Sequence, residues 1–326
     1  MKLRPLGKTG LNLTEISFGA GAIGNLYNHV TNKAAFDVME ASWNSGIRYF
    51  DTAPFYGHGL AERRVGDFLR RRSDYVLSTK VGKMLTAVPD ADVPDYGFVN
   101  PLPFAVHFDY SYDGVMKSYE MSLARLGLNR IDILYVHDLE TNRFSAAEYD
   151  RHMKDFLDSG IVALNELKTK GVIRAFGLGV NQVSACMNVL SRVDIDVILL
   201  AGRYTLLDRS AELDLLAECS KKSVSIVIGG VFNSGILAVG SKEGACFDYK
   251  PASPDILERV RAMQTSLEKS NVELARAALQ FPLQSDLVAS VLIGSAKASS
   301  MLRNVKLLSP PVPVDAFATI KEFTMR

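Results

Sequence analysis

Residues 113–138 read DGVMKSYEMSLARLGLNRIDILYVHD, and two periodicities meet inside them. The first half carries apolar residues at helical spacing and stops at Gly127, where a left-handed C-terminal residue would end a helix. The second half, residues 131–136, is an almost continuous apolar run, too short for a helix, and reads as a strand buried on both faces. An amphipathic helix feeding a doubly buried strand is the repeating unit of a parallel α/β fold.

Outward from that unit the same alternation recurs. Runs rich in β-branched or aromatic residues fall at 15–18, 48–50, 75–78, 172–178, 196–200, 223–228 and 288–293. Amphipathic stretches such as NKAAFDVMEASWNSG, ALNELKTKG and AELDLLAECSKK lie between them. Right-handed βαβ units repeated about eight times close into a (β/α)8 TIM barrel. No linker of Ser, Gly and Pro divides the middle of the chain, so residues 1–326 read as one barrel domain. Two segments stand outside the repeat. The opening KLRPLGKTGLNLT turns around Gly7 and Gly10 and predicts a β-hairpin capping one end. Residues 84–112 are too long for an ordinary βα connection, which makes a long loop after the third strand a candidate substrate lid.

Composition narrows the function. With 48% apolar residues and a formal net charge of +1, the chain has no bias toward nucleic acid or any other polyanion. Its start is broken by Pro5, Gly7 and Gly10 before an apolar run develops, which argues against a signal peptide or membrane span. Cys186, Cys219 and Cys246 are far apart and in no metal-ligand spacing. A cytoplasmic protein without a metal, monomeric or weakly homo-oligomeric and acting on a small molecule, is the expectation.

Gly19, Gly21 and Gly24 spell G-x-G-x-x-G after a strand, with Glu40 at a distance suited to a ribose. A dinucleotide fingerprint needs a helix whose N-terminus starts inside the glycines, aiming free N–H groups at the pyrophosphate. Here the helical period begins only near Asn32, with Thr31 and Asn32 as its cap. The glycines therefore read as backbone kept bare at a strand end, where a flat ring can approach.

Three polar residues end consecutive apolar runs: Asp51 in GIRYFDTAPFYG, Lys80 in YVLSTKVG and His137 in IDILYVHD. In a barrel those ends lie side by side at the C-terminal mouth, where active sites are built. Tyr56, five residues beyond Asp51, can fold back over that mouth. Taken singly each has an ordinary explanation as a turn, a solvated cation or packing. Together they form an acid/base unit. A phenol ionises near pH 10 unless a cation favours its anion, Lys80 can supply that charge, Asp51 can orient Lys80, and His137 can hold a substrate oxygen.

GIRYFDTAPFYG, STKVG, SLARLGLNRIDILYVHD, LNELKTKGVIRAFGLGVN and GGVFNSGIL, in this order, resemble the successive motifs of the aldo-keto reductase family over nearly the whole chain. The resemblance implies hydride exchange with a nicotinamide across the barrel mouth, with Asp51, Tyr56, Lys80 and His137 as the catalytic tetrad. It also implies cofactor contacts at Gly21, Ala22, Asp51, Val180, Asn181 and Tyr204, and along the pyrophosphate at Gly230, Phe232, Asn233, Ser234, Gly235 and Leu237. The adenosine end would meet Gly294, Ser295, Ala296, Lys297, Ser300, Arg303 and Asn304. Substrate would meet Ile23, Phe55, Tyr56, His137 and Asp138.

Departures from the family pattern refine this. Ala201 stands where many relatives place a glutamine on the nicotinamide carboxamide. Gly294 and Ser300 stand where NADP-preferring relatives place a lysine and an arginine, so NAD is the expected cofactor, with NADP open through Lys297 and Arg303. Ile23, Gly82 and Asp138 replace pocket tryptophans, and Asp138, unless it only shapes a turn, would accept hydrogen bonds from hydroxyls. LLAGRYTLLD, GGVFNSGIL and GLGVN look closest to the branch that oxidises D-threo-aldoses (L-fucose) or pyridoxal as cyclic hemiacetals to lactones. The alternatives are NADPH-dependent reduction of aldehydes or ketones, and a nicotinamide-sensing regulatory subunit.

Overall fold

The computed structural model describes all residues, 1–326. Eight parallel strands close into a barrel: β1 (Ile16–Gly19), β2 (Tyr49–Asp51), β3 (Val76–Val81), β4 (Ile133–His137), β5 (Ala175–Val180), β6 (Val197–Ala201), β7 (Ser225–Gly229) and β8 (Val288–Gly294). Each is paired with its sequence neighbours, and β8 pairs with β1 to complete the closure. Most observed strands begin and end one to three residues later than the apolar runs alone predict. The reason is visible in the ladders. Asp51, Lys80 and His137 continue the hydrogen bonding of their strands because the mouth that receives them is itself buried.

The helices follow their local signals. Thr31 caps the helix Asn32–Asn44 by accepting from the amide of Ala34. The helix Tyr112–Leu126 starts on Ser111, whose hydroxyl accepts from the Gly114 amide, and ends on left-handed Gly127. The stretch AELDLLAECSKK is not one helix but a short 3-10 turn, Ser210–Glu212, followed by a helix over Leu215–Lys222. A core of 72 buried residues fills the layer between strands and helices.

The N-terminal hairpin pairs Leu3–Pro5 with Asn12–Thr14. Its Leu6, Leu11 and Leu13 are buried against Tyr49, Ile133, Tyr135 and Val197, so it closes the barrel floor. The segment after β3 is more ordered than a loop: Lys83–Ala87 and Phe104–Phe108 pair antiparallel. That hairpin lies almost against the end of β3, and its connection returns Tyr96 and Phe98 to the mouth. No helix is long and apolar enough to cross a membrane.

Candidate active site

At the barrel mouth β2, β3 and β4 deliver Asp51, Lys80 and His137 side by side, all nearly or fully buried. Lys80 Nζ donates to Asp51 Oδ2 at 2.6 Å and to the carbonyl of Thr52 at 2.9 Å. The same ammonium lies 4.7 Å from the Tyr56 ring centre, and the His137 ring stands edge-on to Tyr56 at 6.0 Å. Gly24 helps place the tyrosine. A Cβ there would lie 2.8 Å from the carbonyl carbon of Tyr56, so the turn after β1 can pack on the Tyr56–Gly57 backbone only as glycine. Gly24 thus serves close packing, and Glu40 is held in an ion pair with Arg72.

Burial decides the electrostatics. It pushes the Tyr56 phenol up to about 12, with Lys80 pulling in the opposite direction. Lys80 therefore moderates a shift that desolvation sets. Burial likewise raises the Asp51 carboxyl against the pull of Lys80, while the charges of Asp51 and Tyr56 carry Lys80 above its usual range despite desolvation. His137 is held well below its ordinary value by burial and then by Lys83, so its ring is neutral near pH 7. Its Nδ1 has no hydrogen-bond partner, and Nε2 lies 3.8 Å from Asp138 Oδ2.

A cavity of about 380 Å³ opens over these groups. Phe55, Tyr56, His137, Asp138, Val180, Asn181 and Ala201 line it, and Leu26, Tyr27, Tyr96, Phe98 and Tyr249 add an apolar, mainly aromatic rim. Those rim residues come from three separate loops, which is why no local pattern marks them. Of the expected substrate contacts Ile23 is the exception: it turns inward on its 3-10 turn and is fully buried in the core. Tyr204, expected at the cofactor, packs its ring in the core against Phe281 at 5.2 Å and does not line this cavity.

Asp138 is not a free acceptor. Its Oδ2 is paired with the buried Lys83 ammonium, and its Oδ1 accepts from the Asn181 amide at 3.4 Å. Lys83 also lies 4.1 Å over the face of Phe55. In the sequence it is one more lysine after a glycine, with no sign that the adjoining hairpin buries it. Glu140, fully buried, accepts from both the backbone and side-chain nitrogens of Asn181, at 2.7 and 2.8 Å. Nothing in the sequence marks it, because an acid three residues past a strand ordinarily belongs to a solvated turn.

The surfaces suit a nicotinamide dinucleotide. Gly21 presents no side chain toward Tyr56, Ala201 presents only a methyl, and Asn181 is held at the cavity wall with its amide oxygen unclaimed. Beyond them, Gly230, Phe232, Ser234 and Gly235 form the loop after β7; its inward members are structural, since Asn233 bonds Gly202 and Thr205, and Leu237 is fully buried. A second cavity of about 300 Å³ reaches from Gly240 and Lys242 to Glu273 and Arg303. Ser300, Arg303 and Asn304 lie on the helix Ala298–Lys306 beside it, and Gly294, Ser295, Ala296 and Lys297 lead into that helix. Ala22 sits in the turn following β1.

A parallel barrel with a Lys-supported tyrosine and a neutral histidine at its C-terminal mouth defines an oxidoreductase site for a carbonyl/alcohol pair. Comparison with known proteins agrees. Residues 15–324 match the model of the Aldo/keto reductase family. The chain is 41% identical to pyridoxal 4-dehydrogenase of Microbacterium luteolum, covering 98% of this chain and 96% of that protein. It is 35% identical to D-threo-aldose 1-dehydrogenase of a Pseudomonas species, covering 96% and 94%. The holo form of an aldo-keto reductase from Bacillus halodurans superposes with a TM-score of 0.78 at 27% identity, covering 100% and 97%. The chain belongs to the aldo-keto reductase family, and is an NAD(P)-dependent oxidoreductase.

Proposed function

We propose that this enzyme uses NAD+ to oxidise a cyclic hemiacetal to its lactone, with pyridoxal preferred over D-threo-aldoses such as L-fucose. The observation that carries the reading is the site itself: one tyrosine against Lys80 and neutral His137, beneath an aromatic-lined cavity. Neutral His137 would donate a hydrogen bond to the substrate oxygen, and Tyr56 would take the hemiacetal O–H proton as the carbon gives up hydride. NAD+, held against Gly21, Asn181 and Ala201, would supply the hydride acceptor, and the exocyclic C–O bond of the hemiacetal would become the lactone carbonyl without ring opening. Lys80 favours the tyrosinate, and Asp51 keeps Lys80 charged and aimed.

Two features of the pocket support pyridoxal over a sugar. Asp138 is committed to Lys83 and Asn181 and so offers little to a polyol, while Phe55, Tyr96, Phe98, Tyr27 and Tyr249 suit a flat aromatic ring. The similarity to a pyridoxal 4-dehydrogenase points the same way. NAD is favoured over NADP because Gly294 and Ser300 supply no cation. Arg303 is tied to Glu273 at 2.8 Å, and a 2′-phosphate would approach Glu268 and Glu273.

The test is the absorbance of NADH or NADPH formed with pyridoxal, L-fucose, D-arabinose and L-galactose, run beside Tyr56→Phe. Pyridoxal with NAD+ should give the highest kcat/KM, and the variant should lose about 10²- to 10⁴-fold. Wild-type turnover in Tyr56→Phe would refute the role of the tyrosine. A second reading, NADPH-dependent carbonyl reduction, is favoured by one observation: burial holds the proton on Tyr56, as a general acid requires. Faster NADPH oxidation with aldehydes, level with pH up to the alkaline limb, would select it.

A further inference from the structure

Each catalytic residue on a barrel strand has a hydroxyl residue two positions earlier: Tyr49 before Asp51, Ser78 before Lys80, and Tyr135 before His137. Alternation along a strand puts members of each pair on the same face, so the barrel interior holds a layer of three hydroxyls directly beneath the catalytic layer. All three are fully buried and they touch one another. Tyr49 Oη is 2.9 Å from Tyr135 Oη and 3.0 Å from Ser78 Oγ, and Ser78 Oγ donates to Asp51 Oδ1 at 2.7 Å.

Donor counting fixes the direction of every bond in this chain. The Asp51 carboxylate only accepts, so the single Ser78 proton is used there. Tyr49 must then donate to Ser78, and, with its own proton spent, must accept from Tyr135. The sequence Tyr135→Tyr49→Ser78→Asp51 has no other consistent arrangement while Asp51 is ionised. Each dipole points its positive end toward the carboxylate, and in a dry interior such bonds polarise one another.

We propose that Tyr135, Tyr49 and Ser78 are positioning residues for catalysis, a directed hydrogen-bond chain that keeps Asp51 ionised and through it keeps Lys80 charged beside Tyr56. The inference rests on Tyr56 being the acid/base group as read above. The other titratable and charged groups at the mouth are Tyr56, His137, Asp138, Lys83, Glu140 and Arg143; none of them bonds to Asp51. The chain enters from the barrel floor instead, where the hairpin leucines exclude water from it.

The experiment uses Ser78→Ala, Tyr49→Phe and Tyr135→Phe in the full chain, each removing one hydroxyl. Two quantities are followed: the pH midpoint of the base limb in kcat/KM for NAD+ reduction by pyridoxal, and the midpoint of the Asp51 carboxyl by ¹³C NMR, assigned by its loss in Asp51→Asn. Both should rise, by on the order of one pH unit in Ser78→Ala and progressively less in Tyr49→Phe and Tyr135→Phe. A purely structural layer would lower the melting temperature and leave both midpoints in place, which would overturn the proposal. If Ser78→Ala does not fold, the two tyrosine variants decide by the same measurements. A rise in the Asp51 midpoint without movement of the rate profile upholds the chain's hold on Asp51, overturns its coupling to catalysis, and separates that failure from loss of activity in Tyr56→Phe.

Discussion

Replacing Lys83 by methionine isolates the contribution of the buried ion pair beside His137. Lys83 is 3% exposed and Asp138 5%, and their contact is the shortest of Asp138's charged contacts. Removing one member of a buried pair costs about 3–5 kcal/mol, because the other charge is left desolvated. Here the low end applies: Asp138 keeps Arg143 at 3.6 Å, Asn181 at 3.4 Å and His137 at 3.8 Å. A loss of about 3 kcal/mol in urea denaturation at pH 8.5 is the expected outcome. Protonation then gives a second signature. Burial and Lys83 are the two largest causes of the depressed His137 value, so without Lys83 the histidine protonates more readily against Asp138. The stability deficit should therefore shrink at pH 6. Activity should fall there, since the Nε2 proton becomes engaged with Asp138 instead of the substrate oxygen. A deficit below about 1 kcal/mol, equal at both pH values, would refute this account of the pair.

Three further outcomes follow from packing and charge. Gly66→Ala would put a methyl carbon 1.8 Å from the Leu126 carbonyl oxygen where the helix Leu60–Leu69 meets Tyr112–Leu126, so stability should fall by about 3 kcal/mol or more; unchanged urea denaturation would contradict the close crossing. His58, His137 and His152 are all buried and held below their ordinary values, chiefly by desolvation. Below about pH 6.5 the unfolded chain therefore binds more protons than the fold, and stability should drop on acidification by up to about 1.4 kcal/mol per pH unit for each histidine. A melting temperature that stays level from pH 7.5 to 5.5 would count against it. Glu273→Gln should free Arg303 for a 2′-phosphate and raise the NADP+ to NAD+ ratio of kcat/KM several-fold, a change that assays with each cofactor would detect.

Much of this enzyme is readable from local pattern. Strand and helix periods announce the barrel, the late cap at Thr31 rules out a dinucleotide fingerprint, and polar residues closing three apolar runs locate Asp51, Lys80 and His137 at one mouth. These features depend on neighbours within a few residues or on the closure of a repeated unit, and both leave a periodic trace in the chain. The resemblance implies site contacts for Ile23 and Tyr204, yet the rotation of a short turn and the packing of a loop on Phe281 send both side chains into the core.

The sequence by itself pointed to the barrel, to Asp51, Tyr56, Lys80 and His137 as one cluster at its mouth, and to the oxidoreductase class. Tertiary structure decided what surrounds those side chains. Lys83 meets Asp138 across 55 positions, Tyr49 meets Tyr135 across 86, and Leu26 pairs with Phe98 to complete the rim. Such contacts follow no period, because they depend on which side chains barrel closure brings face to face in a space that excludes water. That same exclusion shifts the titrating groups, raising the Tyr56 phenol against the pull of Lys80 and keeping His137 neutral, and burial is a property of the assembled barrel.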